Sequence, residues 1–196
     1  MGERIAVCSR QTKETTIQIK LNLDGTGKSD IHTGIGFFDH MLAGFAKHGL
    51  FDLEVSVKGD LEVDCHHTIE DTGIVIGEAI KKALGEKAGI KRYGYFLLPM
   101  DETLAMCAID LSGRPYLAYQ ADFLVPSIGD MDTEMVKEFF YAVSYSAMMN
   151  LHLKIMEKGN QHHMCEALFK AFGKALAMAV SEEPRMKDVW STKGSL

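Results

Sequence analysis

The sequence predicts an α+β fold built from two internally duplicated halves, each a mixed sheet with helices packed on one face. Three pairs of segments lead there. "ETTIQIKLNLDG" at 14–25 matches "ETLAMCAIDLSG" at 102–113, with Glu-Thr and the closing Gly in register. "DLEVSVKG" at 52–59 matches "NLHLKIMEKG" at 150–159, and "HHTIEDTGIVIGEAIKKAL" matches "HHMCEALFKAFGKALAMAV" at a shift of 96. Repeats of this kind mean that neither unit is to be read alone.

Taken in chain order, 14–25 reads as a strand closed by a turn. Residues 34–49, "GIGFFDHMLAGFAKHG", space their apolar positions by three and four and predict a helix. Residues 52–59 alternate apolar and polar side chains and predict a strand. Residues 66–84 predict the helix that ends the first half. The second half repeats this order, with a strand at 102–113, a helix within 132–149 ("DTEMVKEFFYAVSYSAMM"), a strand from 150 and a helix from 162. The join falls near "EKAGIKR" at 86–92, so the expected halves are 1–90 and 91–196, a tandem repeat folded as one compact domain. In the paired final helices Gly77 meets Gly173, Ala79 meets Ala175 and Ala83 meets Ala179.

Composition limits what such a fold does. With 46% hydrophobic and 24% charged residues over 196 positions, the chain is globular and not disordered. A net charge of −6 argues against nucleic acid as the main partner, while leaving room for a small anion held by local arginines. No apolar run reaches the length of a membrane span. The start "MGERIAVCSRQTKET" lacks the apolar region of a signal peptide, so a cytoplasmic protein is expected. Cys8, Cys65, Cys107 and Cys165 have no close C-x-x-C spacing and read as buried or free thiols.

The chemistry sits in the repeated His-His-x-x-Glu. Residues four apart share a helix face, so His66 with Glu70, and His162 with Glu166, can each chelate one ion. His67 and His163 point about 100° away and serve a different ion. Two such helices brought together close two sites, each using His and Glu from one helix and the adjacent His from the other. Imidazole and carboxylate ligation suits Mn, Fe, Co, Ni or Zn, without the thiolates of a structural zinc site. The repeat adds His40, in "FFDHML", which maps at a shift of 98 onto Glu138 in "VKEFFYA". His152, on the following strand, is the rival to Glu138.

These residues resemble the imidazoleglycerol-phosphate dehydratase family. "TGIGFFDHML", "DCHHTIEDTGIVIG", "DLSGRP", "GNQHHMCEALFKAFGKAL" and the terminal "STKG" are similar to its signatures and follow its order across nearly the whole chain. The resemblance implies a manganese enzyme of histidine biosynthesis, with two Mn²⁺ per active site. It would remove water from imidazoleglycerol phosphate to give imidazole-acetol phosphate. It also implies a homo-oligomeric shell of 24 subunits, with metal sites at subunit contacts, so the two histidine helices would meet across chains. Carried over by position, the metal ligands are His40, His66, His67, Glu70, His162, His163 and Glu166. The eighth position, usually histidine in this family, holds Glu138.

The same resemblance places the acid/base role on Glu14, with its repeat partner Glu102 as the lesser candidate, and puts His48 in contact with substrate alongside His40. Arg92, Arg114, Lys170, Ser191, Thr192 and Lys193 match its phosphate-binding positions, where arginine forks and hydroxyl donors suit an anion. Cations on both ring nitrogens would favour imidazolate, whose electron release expels the side-chain hydroxyl and leaves an enol that tautomerises to the ketone. Two other readings of the residues stay open at this level: a binuclear metallohydrolase, in which paired ions activate water, and a metal-triggered assembly or storage shell.

Overall fold

A computed structural model describes residues 4–194 and 196. The first half runs β1 (Ile5–Gln11), β2 (Thr15–Asn22), β3 (Ser29–His32), α1 (Gly36–Gly49), β4 (Asp52–Gly59) and α2 (His66–Leu84). The second runs β5 (Tyr93–Met100), β6 (Thr103–Asp110), β7 (Tyr116–Gln120), β8 (Ser127–Ile128), β9 (Met131–Asp132), α3 (Met135–Ser146), β10 (Asn150–Glu157) and α4 (Gln161–Val180). The two large sheets have orders β1-β2-β4-β3 and β5-β6-β10-β7. Each is mixed, because its last strand joins in parallel and the others pair antiparallel.

The two halves agree in register except at the end of β10, where a bulge between Ile155 and Glu157 has no counterpart on β4. Ile5 faces Asn22 as Tyr93 faces Asp110, Leu21 faces Leu53 as Ile109 faces Leu151, and Ile31 faces Val55 as Tyr119 faces Leu153. Thr15 recurs as Thr103, a shift of 88, whereas Asp52 recurs as Asn150, a shift of 98. The extra residues of the second half hold the β8–β9 hairpin, an element that the repeat pattern did not predict. The hairpin is not idle. Asp130 at its tip accepts hydrogen bonds from the N–H groups of Gly36 (2.8 Å) and Phe37 (3.2 Å), the first turn of α1. Those donors have no partner inside the helix, and Ile35 before them offers no side-chain cap.

Period-two alternation decides which face of each sheet is covered. Ile17, Ile19 and Leu21 on β2, and Ala105, Cys107 and Ile109 on β6, are buried. α2 packs on the first sheet and α4 on the second. The remaining helices cross over: α1 of the first half packs on α4, and α3 of the second half packs on α2. Glycine makes the close approach possible. A Cβ on Gly173 would lie 2.6 Å from the Phe45 carbonyl oxygen, and one on Gly77 would lie 2.7 Å from that of Val143, the repeat equivalent of Phe45. Aromatic side chains then knit the helices together, with Phe45 stacked on Phe172 (5.2 Å between ring centres) and Phe139 on Phe169 (5.0 Å). Cys8, Cys65, Cys107 and Cys165 are all free thiols. Among the described residues no helix is long and apolar enough to cross a membrane.

Candidate active site

Helix α4 starts where its histidines need it to. Asn160 caps it by accepting hydrogen bonds from the backbone N–H of His162 (2.9 Å) and His163 (3.4 Å), so both lie in the first turn. One turn on, Glu166 Oε2 lies 3.2 Å from His162 Nε2. The α1 crossing brings in His40, whose Nε2 is 3.8 Å from Glu166 Oε1. Donor atoms of His40, His162 and Glu166 all lie within 4.8 Å of one another. Phe37 meets the His162 ring edge-on at 5.1 Å. Lys170, the next turn of α4, places its ammonium 2.7 Å from Glu166 Oε1. Burial works to raise the Glu166 carboxyl, but the Lys170 hydrogen bond and charge, with His40 and His162, hold it below the ordinary glutamate value. Glu166 is therefore an ionised, nearly buried carboxylate between two imidazoles, a donor set that fits a divalent first-row ion.

The repeat equivalent of this cluster lies on α2 and α3. His66 Nε2 is 3.5 Å from Glu70 Oε2, and Glu138 is half-buried on α3, the helix packed against α2. These three do not close into a three-donor group as His40, His162 and Glu166 do. His152 is exposed on β10 between buried Leu151 and Leu153, so it points away from the helices. Within one chain Glu138, and not His152, stands on the helix packed against α2.

The second histidines turn elsewhere, as their position on the helix requires. His67 Nδ1 meets the Asp60 carboxylate at 3.0 Å, and His67 Nε2 lies 3.8 Å from Glu14. The hydrogen bond to Asp60, with the charge of Glu14, holds the His67 imidazole above the ordinary histidine value against a smaller opposing effect of burial. His163 Nδ1 lies 3.3 Å from Glu102 and 3.9 Å from Asp101. His67 and His163 thus do not join the first histidines of the opposite copy within one chain, because α2 and α4 each pair with a different helix. Asp60 and Asp101 were not among the residues expected from the sequence. Both lie in loops, where only the fold reveals which histidine a carboxylate faces.

The two equivalent glutamates differ in what they do. Glu102 accepts a hydrogen bond from the Asn160 backbone N–H at 2.5 Å and packs on Gly159, at the start of α4. That bond is the chief reason its carboxyl sits below the ordinary value. Glu14 makes no such clamp. Its side chain is half exposed, beside a depression also lined by Lys58, Asp60 and Glu62.

Comparison with known proteins identifies the family. The family model described as imidazoleglycerol-phosphate dehydratase matches residues 33–176. The chain belongs to the imidazoleglycerol-phosphate dehydratase family. It is 66% identical over 193 residues to the imidazoleglycerol-phosphate dehydratase of Lachnoclostridium phytofermentans, covering 98% of each chain. It is 57% identical over 188 residues to that of Acetivibrio thermocellus, covering 96% of each. Among solved structures it is similar to the Staphylococcus aureus dehydratase, with a TM-score of 0.83 at 40% identity over 91% of this chain and 99% of that one. The Pyrococcus furiosus dehydratase in complex with (S)-C348 gives a TM-score of 0.83 at 33% identity, covering 96% of this chain and all of the other. The chain is accordingly a hydro-lyase of histidine biosynthesis.

The other residues that the family resemblance assigns to substrate and phosphate lie apart from one another. His48 ends α1, where burial, then the charges of Lys170 and Lys174, hold its imidazole below the ordinary value despite Glu166. These surroundings disfavour the helix-end cation that its position alone would suggest. Arg92 is nearly buried and engages Asp110 through Nε (2.6 Å) and Nη2 (3.0 Å), while Nη1 donates to the Trp190 carbonyl at 2.6 Å. The tail carrying Ser191, Thr192 and Lys193 is thereby tied to Arg92. Arg114 is exposed, with Nη1 3.5 Å from the Ser112 carbonyl.

Proposed function

We propose that this dehydratase takes imidazoleglycerol phosphate to imidazole-acetol phosphate with two Mn²⁺ ions per active site, bound by His40, His66, His67, Glu70, Glu138, His162, His163 and Glu166. The observation that carries this reading is the convergence of His40, His162 and Glu166 from opposite halves of the chain, all donor atoms within 4.8 Å. Bound ions would supply positive charge at the substrate's ring nitrogens and so favour electron release from the imidazole toward the departing hydroxyl. The first histidines, with Glu70 and Glu166, hold one set of ligands on each helix face. His67 and His163 project from the other face and are read as ligands for ions held by neighbouring copies. A homo-oligomer, in keeping with 24 subunits, is therefore part of the proposal, as are the tandem halves 1–90 and 91–196 and a cytoplasmic location.

Glu14 is the proton-transfer group in this reading. Its half-exposed carboxylate is suited to take the proton from the carbon next to the one losing its hydroxyl, and to deliver a proton to the carbon that lost the hydroxyl as the enol becomes a ketone. His48 faces the substrate near His40. Arg92, Arg114, Lys170, Ser191, Thr192 and Lys193 hold the phosphate; of its five N–H groups Arg92 spends three on Asp110 and Trp190, leaving two for an anion. The test is turnover of imidazoleglycerol phosphate by purified protein stripped of metal and reloaded with Mn²⁺. Mn²⁺-dependent appearance of the ketone is expected. Release of inorganic phosphate without ketone would favour the metallohydrolase instead.

A further inference from the structure

The two halves provide an internal control on Glu14. Beside it, Asp71 of α2 is buried and bonded twice: Arg10 Nε donates to Oδ1 at 2.9 Å and Thr15 Oγ1 donates to Oδ2 at 2.5 Å. Thr12 Oγ1 completes the turn by accepting from the backbone N–H groups of Glu14 (3.0 Å) and Thr15 (2.9 Å). It also lies 3.3 Å from Thr15 Oγ1. Because Thr15 has one hydroxyl proton and commits it to Asp71, Thr12 is the donor in that contact. An unbroken chain of hydrogen bonds thus runs from α2, one residue past Glu70, to the backbone of Glu14.

In the second half this chain is gone. At a shift of 88, Arg10 becomes Leu98, Thr12 becomes Met100 and Thr15 remains Thr103; at a shift of 96, Asp71 becomes Ala167. Thr103 Oγ1 is left buried with no hydrogen-bond partner. A buried hydroxyl without a partner is costly, so the equivalent place in the first half is a polar network kept whole. The half that lost the network is also the half whose glutamate, Glu102, clamps Asn160 and His163.

We propose that Asp71, acting through Thr15 and Arg10, is the positioning residue that makes Glu14 and not Glu102 the proton-transfer carboxylate. It fixes the β1–β2 turn on the helix that carries His66, His67 and Glu70, so that Glu14 keeps a set distance from the ligands on α2. This inference rests on the reading of Glu14 as acid/base. Asp60 completes the arrangement by taking His67 Nδ1, the task that Glu102 performs for His163, and leaves Glu14 only the longer 3.8 Å contact with His67 Nε2.

The test replaces the first-half network by its second-half equivalent, in Arg10→Leu/Asp71→Ala, which leaves no lone buried charge behind. Bound Mn²⁺ and the mass of the assembled protein are measured first and are expected at wild-type values. The expected kinetic result is a kcat about 10- to 100-fold lower with KM within about 3-fold, the size of effect that a misplaced catalytic group produces. Glu14→Gln alone is expected to lower kcat by about 10²- to 10⁴-fold. In the Arg10→Leu/Asp71→Ala background it should cost less, by the factor already lost. A normal kcat in folded, metal-loaded Arg10→Leu/Asp71→Ala, or a Glu14→Gln cost that is the same in both backgrounds, overturns the positioning role. A normal kcat in Glu14→Gln alone overturns the acid/base reading, and the inference with it. If Arg10→Leu/Asp71→Ala does not assemble, Thr15→Val cuts the hydroxyl link and leaves the Arg10–Asp71 pair. It should lower kcat with KM unchanged, and a wild-type kcat there overturns the proposal.

Discussion

His40 on α1 and Glu166 on α4 come from opposite halves of the chain, yet His40 Nε2 lies 3.8 Å from Glu166 Oε1. The contact exists because each half lends its first helix to the other. Gly173, against the Phe45 carbonyl and the Gly49 N–H, sets how closely α1 and α4 approach.

Gly173→Ala should therefore loosen both the fold and the proposed metal site. Alanine is about 1 kcal/mol better than glycine in a helix interior, but its Cβ would meet the Phe45 oxygen at 2.6 Å. Overpacking of that kind costs about 1–3 kcal/mol, so the net expectation is destabilisation with weaker Mn²⁺ binding. Gly77→Ala should act alike at the α2–α3 crossing, where the corresponding distance to Val143 is 2.7 Å. Denaturant midpoints and metal titration of the two variants check this. A stabilised, tightly binding Gly173→Ala would show that the crossing is more yielding than its geometry implies.

Removing the carboxylate of Glu166 should separate metal binding from folding. In Glu166→Gln the Lys170 ammonium loses its charged partner and His40 and His162 lose the shared acid, so bound metal should fall while the helical signal of circular dichroism persists. Elemental analysis of the purified variant reads the loss. If the proposed ligands are shared between copies, chelation of the wild-type protein should likewise reduce its mass in light scattering, because His67 and His163 are turned away from His40, His162 and Glu166 of their own chain. Unchanged mass after full metal removal would count against ligands shared between copies.

His48 should impose a pH dependence on stability. Burial and the nearby lysines hold it below its ordinary value of 6.5, so the unfolded chain takes up a proton before the folded one does. The stability it contributes is present above the unfolded value and is lost as pH falls through the folded one. His67, raised chiefly by Asp60, acts with the opposite sign: its contribution is present below about 6.5 and fades as pH rises through its folded value. Comparing metal-free wild type with His48→Gln between pH 7 and 5 cancels the His67 effect. The variant should lose less stability over that range, and parallel profiles would refute the assignment.

The thiols should report folding. Cys107 and Cys165 are fully buried and burial pushes their thiols far above the ordinary cysteine value; Cys65 is buried and raised for the same reason. Cys8 is half-buried, with Lys82 partly offsetting the effect of burial. A thiol-disulfide reagent at pH 8 should modify Cys8 first, and the other three only at the rate of unfolding. Rapid loss of several thiols from folded protein would contradict this.

Much of the architecture could be read in the chain because it is written twice in local patterns. The span 52–59 is a strand and 66–84 a helix with the expected ends, since period-two and three-to-four spacings are properties of neighbouring residues. The repeat also pointed to His40 and Glu138 as equivalents. The β8–β9 hairpin escaped, since it has no counterpart in the first half and its two-residue strands carry too little pattern to read.

By itself the sequence determined the α+β class, the paired His-His-x-x-Glu helices and the family signatures, all of which depend on residue type and short spacing. Only the tertiary structure decided which helix meets which. Local pattern says that α4 is a helix but not that its partner is α1, for that choice depends on where Gly173 lets a backbone approach and on which faces the sheets have already covered. The same physics separates the two glutamates. Glu14 and Glu102 stand in matching sequence contexts, and it is Asp71 and Asp60 around the first, and Asn160 and His163 against the second, that make their surroundings different.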